Sequence, residues 1–416
     1  MLRCSVPYGT VPVDYSKPRR RSSFPIIETR QPVHQKRSGR AGLGGFIAMG
    51  NERPRAYLNS HRRVRPWRIP LQKKIGFLSF GHWQAARGSQ TRTAQESLLQ
   101  AIDLAVAAEE IGIDGAYFRV HHFARQAAAP FPVLAAIAAR TKRIEFGTAV
   151  VDMRYENPLY MAEEAAATDL IGDGRLQLGI SRGSPEPAER GWEAFGYDSG
   201  EDLSGADLAR THTELFRAAI KGAGIAKADL KMTGMSGRLA IQPQSAGLPE
   251  RIWWGAGTRK TAVWTAEQGM NLMSSTLLSE DTGVPFSELQ AEQIQLYRDA
   301  WKAAGWQHEP RVSVSRSVMP IVDDVDRMYF GARDGSDQDQ VGYLGGGIAR
   351  FGKSYIGAPD VIAAELAKDQ AVLDADTLLL TVPNQLGVEY NAKLLKTIAD
   401  HIAPAIGWKR AELQPA

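Results

Sequence analysis

The feature that most constrains this chain is a rhythm. From Lys73 onward, short apolar runs alternate with stretches of helical spacing, eight times over. The runs are KIGFLSF (74–80), GAYFRV (115–120), RIEFGTAVV (143–151), RLQLGIS (175–181), RIWWGA (251–256), MNLMSS (270–275), RVSVSRSVMPIV (311–322) and ADTLLLTVP (375–383). Helical segments follow them at 93–112, 132–141, 158–172, 202–221, 258–268, 287–304, 359–369 and 388–403. In the first of these, Leu98, Leu99, Ile102, Ala105, Val106 and Ile111 recur at helical spacing. Near-continuous apolar runs suit parallel strands covered on both faces, and parallel pairing needs the crossovers that helices supply. Eight such units in about 335 residues predict an α/β fold of the (β/α)8 TIM-barrel type, spanning 73–410, rather than a doubly wound sheet. The first strand leads into GHWQAARGSQT, which lacks the glycine spacing of a dinucleotide-binding turn. Three connections, 222–250, 276–286 and 323–358, are long enough to be insertions. The last is glycine-rich and polar and reads as a lid over the active face.

Charge divides the chain. Residues 1–72 hold 15 Lys+Arg and 3 Asp+Glu, leaving 35 basic and 43 acidic residues for the remainder. The overall charge of +4 therefore belongs to an Arg/Pro/Ser-rich arm and not to the body. Without periodicity, that arm is expected to be a disordered basic N-terminal extension. An arm of this kind can serve as a nucleic-acid tether, a transit peptide or an export signal. An upstream-extended start, with Met49 as one alternative, or a plain tail explains it more simply. The acidic body argues against nucleic acid as a partner. No run approaches the ~18 apolar residues of a membrane helix. The single cysteine, Cys4, leaves no disulfide framework, which suits a reducing, cytoplasmic setting.

In a barrel of this type the chemistry sits at the C-terminal ends of the strands. Strand two ends in FRVHHF, with His121 and His122 adjacent in a chain of 8 histidines. Adjacent strand residues face opposite sides, so both rings cannot enter one barrel mouth. The other strand ends add His82 but no set of Asp or Glu, so no metal site is expected. The end of strand five, GAGTRKT (255–261), is a small-residue turn that opens directly into a helix. Gly257 permits close approach, Thr258 and Thr261 carry hydroxyls, and the first-turn N–H groups favour an anion. Arg259 is a further charge at this turn. Arg182, at the end of strand four, adds a guanidinium. These are the parts of a phosphate site.

The run AEEIGIDGAYFRVHHF, then RIEFGTAVV, NPLYMAEEAAATDLIGDGRLQLGISRG and WWGAGTRKTAVWTAEQG, resembles the bacterial luciferase-like flavin-dependent monooxygenase family in order from about 73 to 405. The resemblance implies a barrel that holds reduced FMN across the strand ends, its phosphate near Arg182, Thr258 and Thr261. It places Ser181 beside the flavin ring, Ala149-Val150 at a non-prolyl cis peptide against that ring, and His121 near the reacting position. It also implies a small organic substrate, O₂, an external flavin reductase and a homodimer. Phe80, His82, Trp83 and Tyr117 are candidates for shaping the organic pocket. Three positions depart from luciferases: Val120 replaces a Glu, Gly257 an acid and Ser181 a thiol. These argue against light emission from long aldehydes. On the same fold, the alternatives are an F420-dependent hydride-transferring oxidoreductase and a non-catalytic flavin-binding protein.

Overall fold

The computed structural model describes residues 72–183, 187–280, 283–333, 339–344 and 347–411. The basic arm, apart from Gln72, lies outside the described residues. The eight runs form eight parallel strands: β1 (Lys74–Ser79), β2 (Gly115–Phe118), β3 (Glu145–Asp152), β4 (Leu176–Ser181), β5 (Ile252–Ala256), β6 (Asn271–Ser274), β7 (Val312–Pro320) and β8 (Thr377–Thr381). Each pairs in parallel with the next, and β8 returns to β1 with Thr377 opposite Lys74, so the sheet closes. The expected barrel is present. Its outer ring is α1 (Ala94–Ile111), α2 (Pro130–Arg140), α3 (Pro158–Ile171), α4 (Ala206–Ile220), α5 (Arg259–Glu267), α6 (Phe286–Ala304), α7 (Pro359–Leu366) and α8 (Gly387–His401).

Local chemistry explains the boundaries. A capping box starts α1, in which the Thr93 hydroxyl accepts from Glu96 N–H and the Glu96 carboxylate accepts from Thr93 N–H. Gly112, left-handed at φ 96°, ends it. The expected helix 359–369 ends early, at Leu366, and Asp369 caps a separate short helix, Gln370–Asp374. β2 stops at Phe118, two residues early, and the His121 N–H turns to the Ala127 carbonyl at 2.9 Å.

The barrel interior is filled in layers. At its N-terminal end, Glu145 of β3 meets Arg311, just ahead of β7, in two hydrogen bonds of 3.0 and 2.9 Å. Lys74 Nζ donates to the same carboxylate at 2.5 Å, and Arg311 also reaches Gln177 and Thr377. Above this layer the Trp253 ring lies 4.9 Å from the Arg311 guanidinium, and its Nε1 donates to Gln177 Oε1 at 2.9 Å. Tyr117 fills the same level. Gly115 and Gly76 make room for it, since a Cβ on either would meet its ring at 2.5 and 3.0 Å. Leu78, Met273 and Leu379 close the layer above.

The insertions carry structure of their own. Segment 222–250 contains a hairpin of Gly224–Lys227 with Arg238–Ala240. Leu277–Leu278 pairs antiparallel with Gly347–Phe351, which pairs with Gln340–Leu344, so the second and third insertions share one small sheet. The described residues of the expected lid form a helix at Asp324–Phe330 and these two antiparallel strands. Ser354–Gly357 adds a parallel strand along the upper half of β7.

Burial would raise the Glu145 carboxyl, but the charges of Arg311 and Lys74 outweigh it and hold the group below its ordinary 4.5. A depressed carboxyl stabilises the fold above pH about 4.5, and that stabilisation is lost as pH falls through the folded value. Arg311→Met is expected to cost about 3 kcal/mol at pH 7, read by urea unfolding. The difference from wild type should shrink as the pH falls below about 4.

Candidate active site

A cavity of about 660 Å³ opens at the C-terminal ends of the strands. Its floor is the Leu78, Met273 and Leu379 layer. Of the residues expected at the site, Phe80, His121, Ala149, Val150, Ser181, Arg182, Gly257, Thr258 and Thr261 all line it. Three others lie elsewhere. His82 stacks on Phe80 at 5.7 Å and lines a separate small pocket with Val382 and Pro383. Trp83 sits under the Arg125 guanidinium at 5.4 Å, outside the cavity lining. Tyr117 is 1% exposed in the barrel core, its hydroxyl 3.4 Å from Glu145 Oε2. Its ring points down the barrel because Gly76 and Gly115 leave space there.

The β5 turn opens directly into α5 through a threonine cap. Thr258 caps α5, its hydroxyl accepting from Thr261 N–H at 3.1 Å and lying 2.9 Å from the Thr261 hydroxyl. The N–H groups of Arg259 and Lys260 have no carbonyl within the helix to donate to. The Arg259 side chain turns away, to Glu280 at 3.1 Å and Glu292 at 2.9 Å. Arg182, Lys260 and Arg210 supply positive charge around the cavity instead. Ser181 is buried, and its hydroxyl accepts from Gly183 N–H at 2.8 Å. In the same wall the Ala149–Val150 peptide is cis. A Cβ on Gly255 would stand 3.2 Å from Val150 Cγ1, so a bare glycine keeps this wall flat.

The two histidines part beyond the end of β2, where the chain has already left the strand. His121 lines the cavity, whereas His122 stacks on Tyr155 at 4.3 Å with Phe195 edge-on at 5.2 Å. With Val120 in place of a carboxylate, an acid reaches His122 from the β3–α3 loop. Glu156 Oε1 lies 3.9 Å from His122 Nε2. Burial first, then Glu164 and Asp152, push this carboxyl up to about 7. Burial first, then Arg119 and His121, push the His82 imidazole below 6.5.

Several lining residues escaped the reading of strand ends. Arg119 stands 4.9 Å over the Phe80 ring. Asp152 lines the cavity while pairing with Arg154 at 2.5 Å. Ser313 and Ser315 line it from β7, while Arg316 points outward to Asp369 at 2.8 Å. The alternation VSVSRS carried that signal, because residues two apart share a strand face. Ser274, Ser275 and Thr276 complete the β6 side. Among the described residues no three His, Cys, Asp or Glu side chains converge as a metal site. No described helix is long and apolar enough to cross a membrane.

Residues 78–327, more than half of the chain, match the family described as luciferase-like monooxygenase. The chain belongs to that family. Among relatives of this luciferase-like chain, the oxygenase component of a flavin-dependent trigonelline monooxygenase from Acinetobacter baylyi is 34% identical over 110 residues, 26% of this chain and 30% of the relative. The alkanal monooxygenase alpha chain of Photobacterium leiognathi is 27% identical over 210 residues, 49% of this chain and 54% of the relative. The chain thus spans about half or less of the length of these two relatives. The monooxygenase RslO1 from Streptomyces bottropensis has the same fold, with a TM-score of 0.60 and 22% identity over 80% of this chain and 99% of that one. So does the oxygenating constituent of 3,6-diketocamphane monooxygenase from Pseudomonas putida, solved with FMN, with a TM-score of 0.58 and 18% identity over 80% and 98%.

A carboxyl raised from 4.5 to about 7 stays protonated in the fold where the unfolded chain has already ionised. Its burial therefore costs stability increasingly from pH about 4.5 to about 7, and by a constant amount above that. Glu156→Gln is expected to stabilise the protein on the order of 2 kcal/mol at pH 8 and hardly at all at pH 4.5. Calorimetric melting at the two pH values checks this.

Proposed function

We propose that this protein is the oxygenase of a two-component flavin-dependent monooxygenase, working as a homodimer. It takes reduced FMN from a separate reductase and uses O₂ to oxygenate a small organic substrate. One observation carries the reading. A single cavity joins an anion-binding helix end at Thr258, a flat wall at Gly255 and the cis Ala149–Val150 peptide, and a buried imidazole at His121. The relative named as an oxygenase component and the neighbour solved with FMN support the same assignment.

The residues present fit FMN. The cavity volume of about 660 Å³ is of the size that encloses a cofactor. The Thr258 and Thr261 hydroxyls, the open N–H groups at the start of α5 and the Arg182 guanidinium would hold the phosphate. Gly255 would let the ring system lie against Val150 and Ser181. When bound, reduced FMN supplies the electrons that activate O₂. The protein's own part is positioning, proton handling and exclusion of water. The apolar floor of Leu78, Met273 and Leu379 keeps bulk water from the reacting centre. His121 holds and moves a proton at an imidazole nitrogen, with no adjacent carboxylate on its own strand because Val120 stands there.

Purified protein titrated anaerobically with reduced FMN and with reduced F420 is expected to bind FMN. Tight binding of F420 alone would overturn the assignment. His121→Asn is expected to lower turnover about a hundredfold and to change FMN affinity less than about twofold. Stopped-flow kinetics and flavin titration measure the two effects separately.

A further inference from the structure

The Thr258 end of the cavity is held from behind by a buried train of polar side chains. α6 turns two glutamines inward, Gln290 at 0% and Gln293 at 1% exposure. A buried primary amide needs partners for its oxygen and its N–H groups, and both glutamines have them. Gln293 Nε2 donates to the carbonyls of Thr258 at 3.0 Å and Ala256 at 3.3 Å, and its Oε1 accepts from Ser274 Oγ at 2.5 Å. Gln290 Nε2 donates to Ser274 Oγ at 2.9 Å and to the Ser275 carbonyl at 3.0 Å. Gln290 Oε1 accepts from Arg316 Nη1 at 2.7 Å. Asp369 anchors Arg316 through bonds of 2.8 and 3.1 Å, and Tyr355 donates to the same carboxylate at 2.6 Å.

The direction of this train is fixed at one end. A guanidinium can only donate, so the Gln290 atom facing Arg316 must be oxygen. Its nitrogen then donates to Ser274 Oγ, and the single Ser274 proton is left for Gln293 Oε1. Gln293 therefore presents N–H, never oxygen, to the Thr258 carbonyl. That carbonyl also accepts the first helical bond, from Ala262 N–H at 3.1 Å. The Thr258–Arg259 peptide is planar, so a carbonyl held in place holds the Arg259 N–H in the opposite direction, out of the open end of the helix.

We propose that Gln293 is a positioning residue for the phosphate subsite, its amide polarised from Arg316 through Gln290 and Ser274. The proposal rests on the reading of the Thr258 end as the place of the cofactor phosphate. It predicts an effect confined to the phosphate, whereas a merely structural glutamine would affect any flavin alike.

The test compares FMN with riboflavin, which lacks the phosphate, by fluorescence titration of the full chain. Wild type is expected to bind FMN the more tightly. A wild type that binds both alike removes the phosphate subsite itself, a failure visible before any variant is made, and takes the proposal with it. Gln293→Met keeps the volume and removes the donor. It is expected to weaken FMN about tenfold and to leave riboflavin within about twofold. Equal weakening of both flavins, or unchanged FMN affinity in a folded variant, overturns the proposal. Should Gln293→Met not fold, Ser274→Ala breaks the train one step earlier. It is expected to give the same FMN-selective loss at about threefold, and loss of that selectivity overturns the proposal equally.

Discussion

A carboxylate and a guanidinium meeting inside the barrel set the frame for the rest of this molecule. Glu145 on β3 and Arg311, just before β7, face each other across an eight-stranded ring, and their bonds of 3.0 and 2.9 Å span its N-terminal end. A largely enclosed pair of this kind, its side chains 14% and 18% exposed, is costly to desolvate and costly to break. Lys74, Gln177 and Thr377 satisfy the remaining polar atoms, drawing β1, β4 and β8 into the same layer. Trp253 and Tyr117 stand on this layer, and Leu78, Met273 and Leu379 stand on them. With the lower barrel packed solid, the space left for a ligand is at the other end.

That open end is assembled from residues far apart in sequence, each delivered by the end of a different strand. β2 brings His121, β3 the cis Ala149–Val150 peptide, β4 Ser181 and Arg182, and β5 Gly257 and Thr258. Thr258, Thr261, Arg182 and Lys260 come to the cavity from the ends of β4 and β5, and His121, Arg119 and Phe80 from those of β1 and β2. Behind the Thr258 turn, Gln290 and Gln293 join it to the Arg316–Asp369 pair, so the turn is braced by the same packing that docks α6 on the barrel.

Much of this was legible in the residues. The eight runs and their helices emerge within a few residues of where periodicity placed them. The Thr258 cap at the start of α5 needed only a small-residue strand end followed by a helix start. Which of His121 and His122 faces the cavity was not legible, because β2 ends at Phe118 and strand alternation does not reach them. What was not legible depended on space. Tyr117 looked like a pocket aromatic, but glycines on two neighbouring strands drew its ring into the core. Arg259 looked like a site cation, but Glu280 and Glu292, from segments later in the chain, took it. Ser313 and Ser315 share the inward face of β7 below its C-terminal end, where only the strand's alternation marks them.

The sequence by itself determined the periodic pattern, the caps and the turn chemistry, because these depend on neighbours within a few positions. Only the tertiary structure decided which charges are spent on each other and which line the cavity. It made Arg316 a buried anchor and left Arg182 and Lys260 at the cavity. It also brought Glu156 from another loop to within 3.9 Å of His122, where Val120 supplies no acid. The reason is physical: a side chain's partner is set by which strand ends and helices the closed barrel brings together, and the closing contacts join residues hundreds of positions apart.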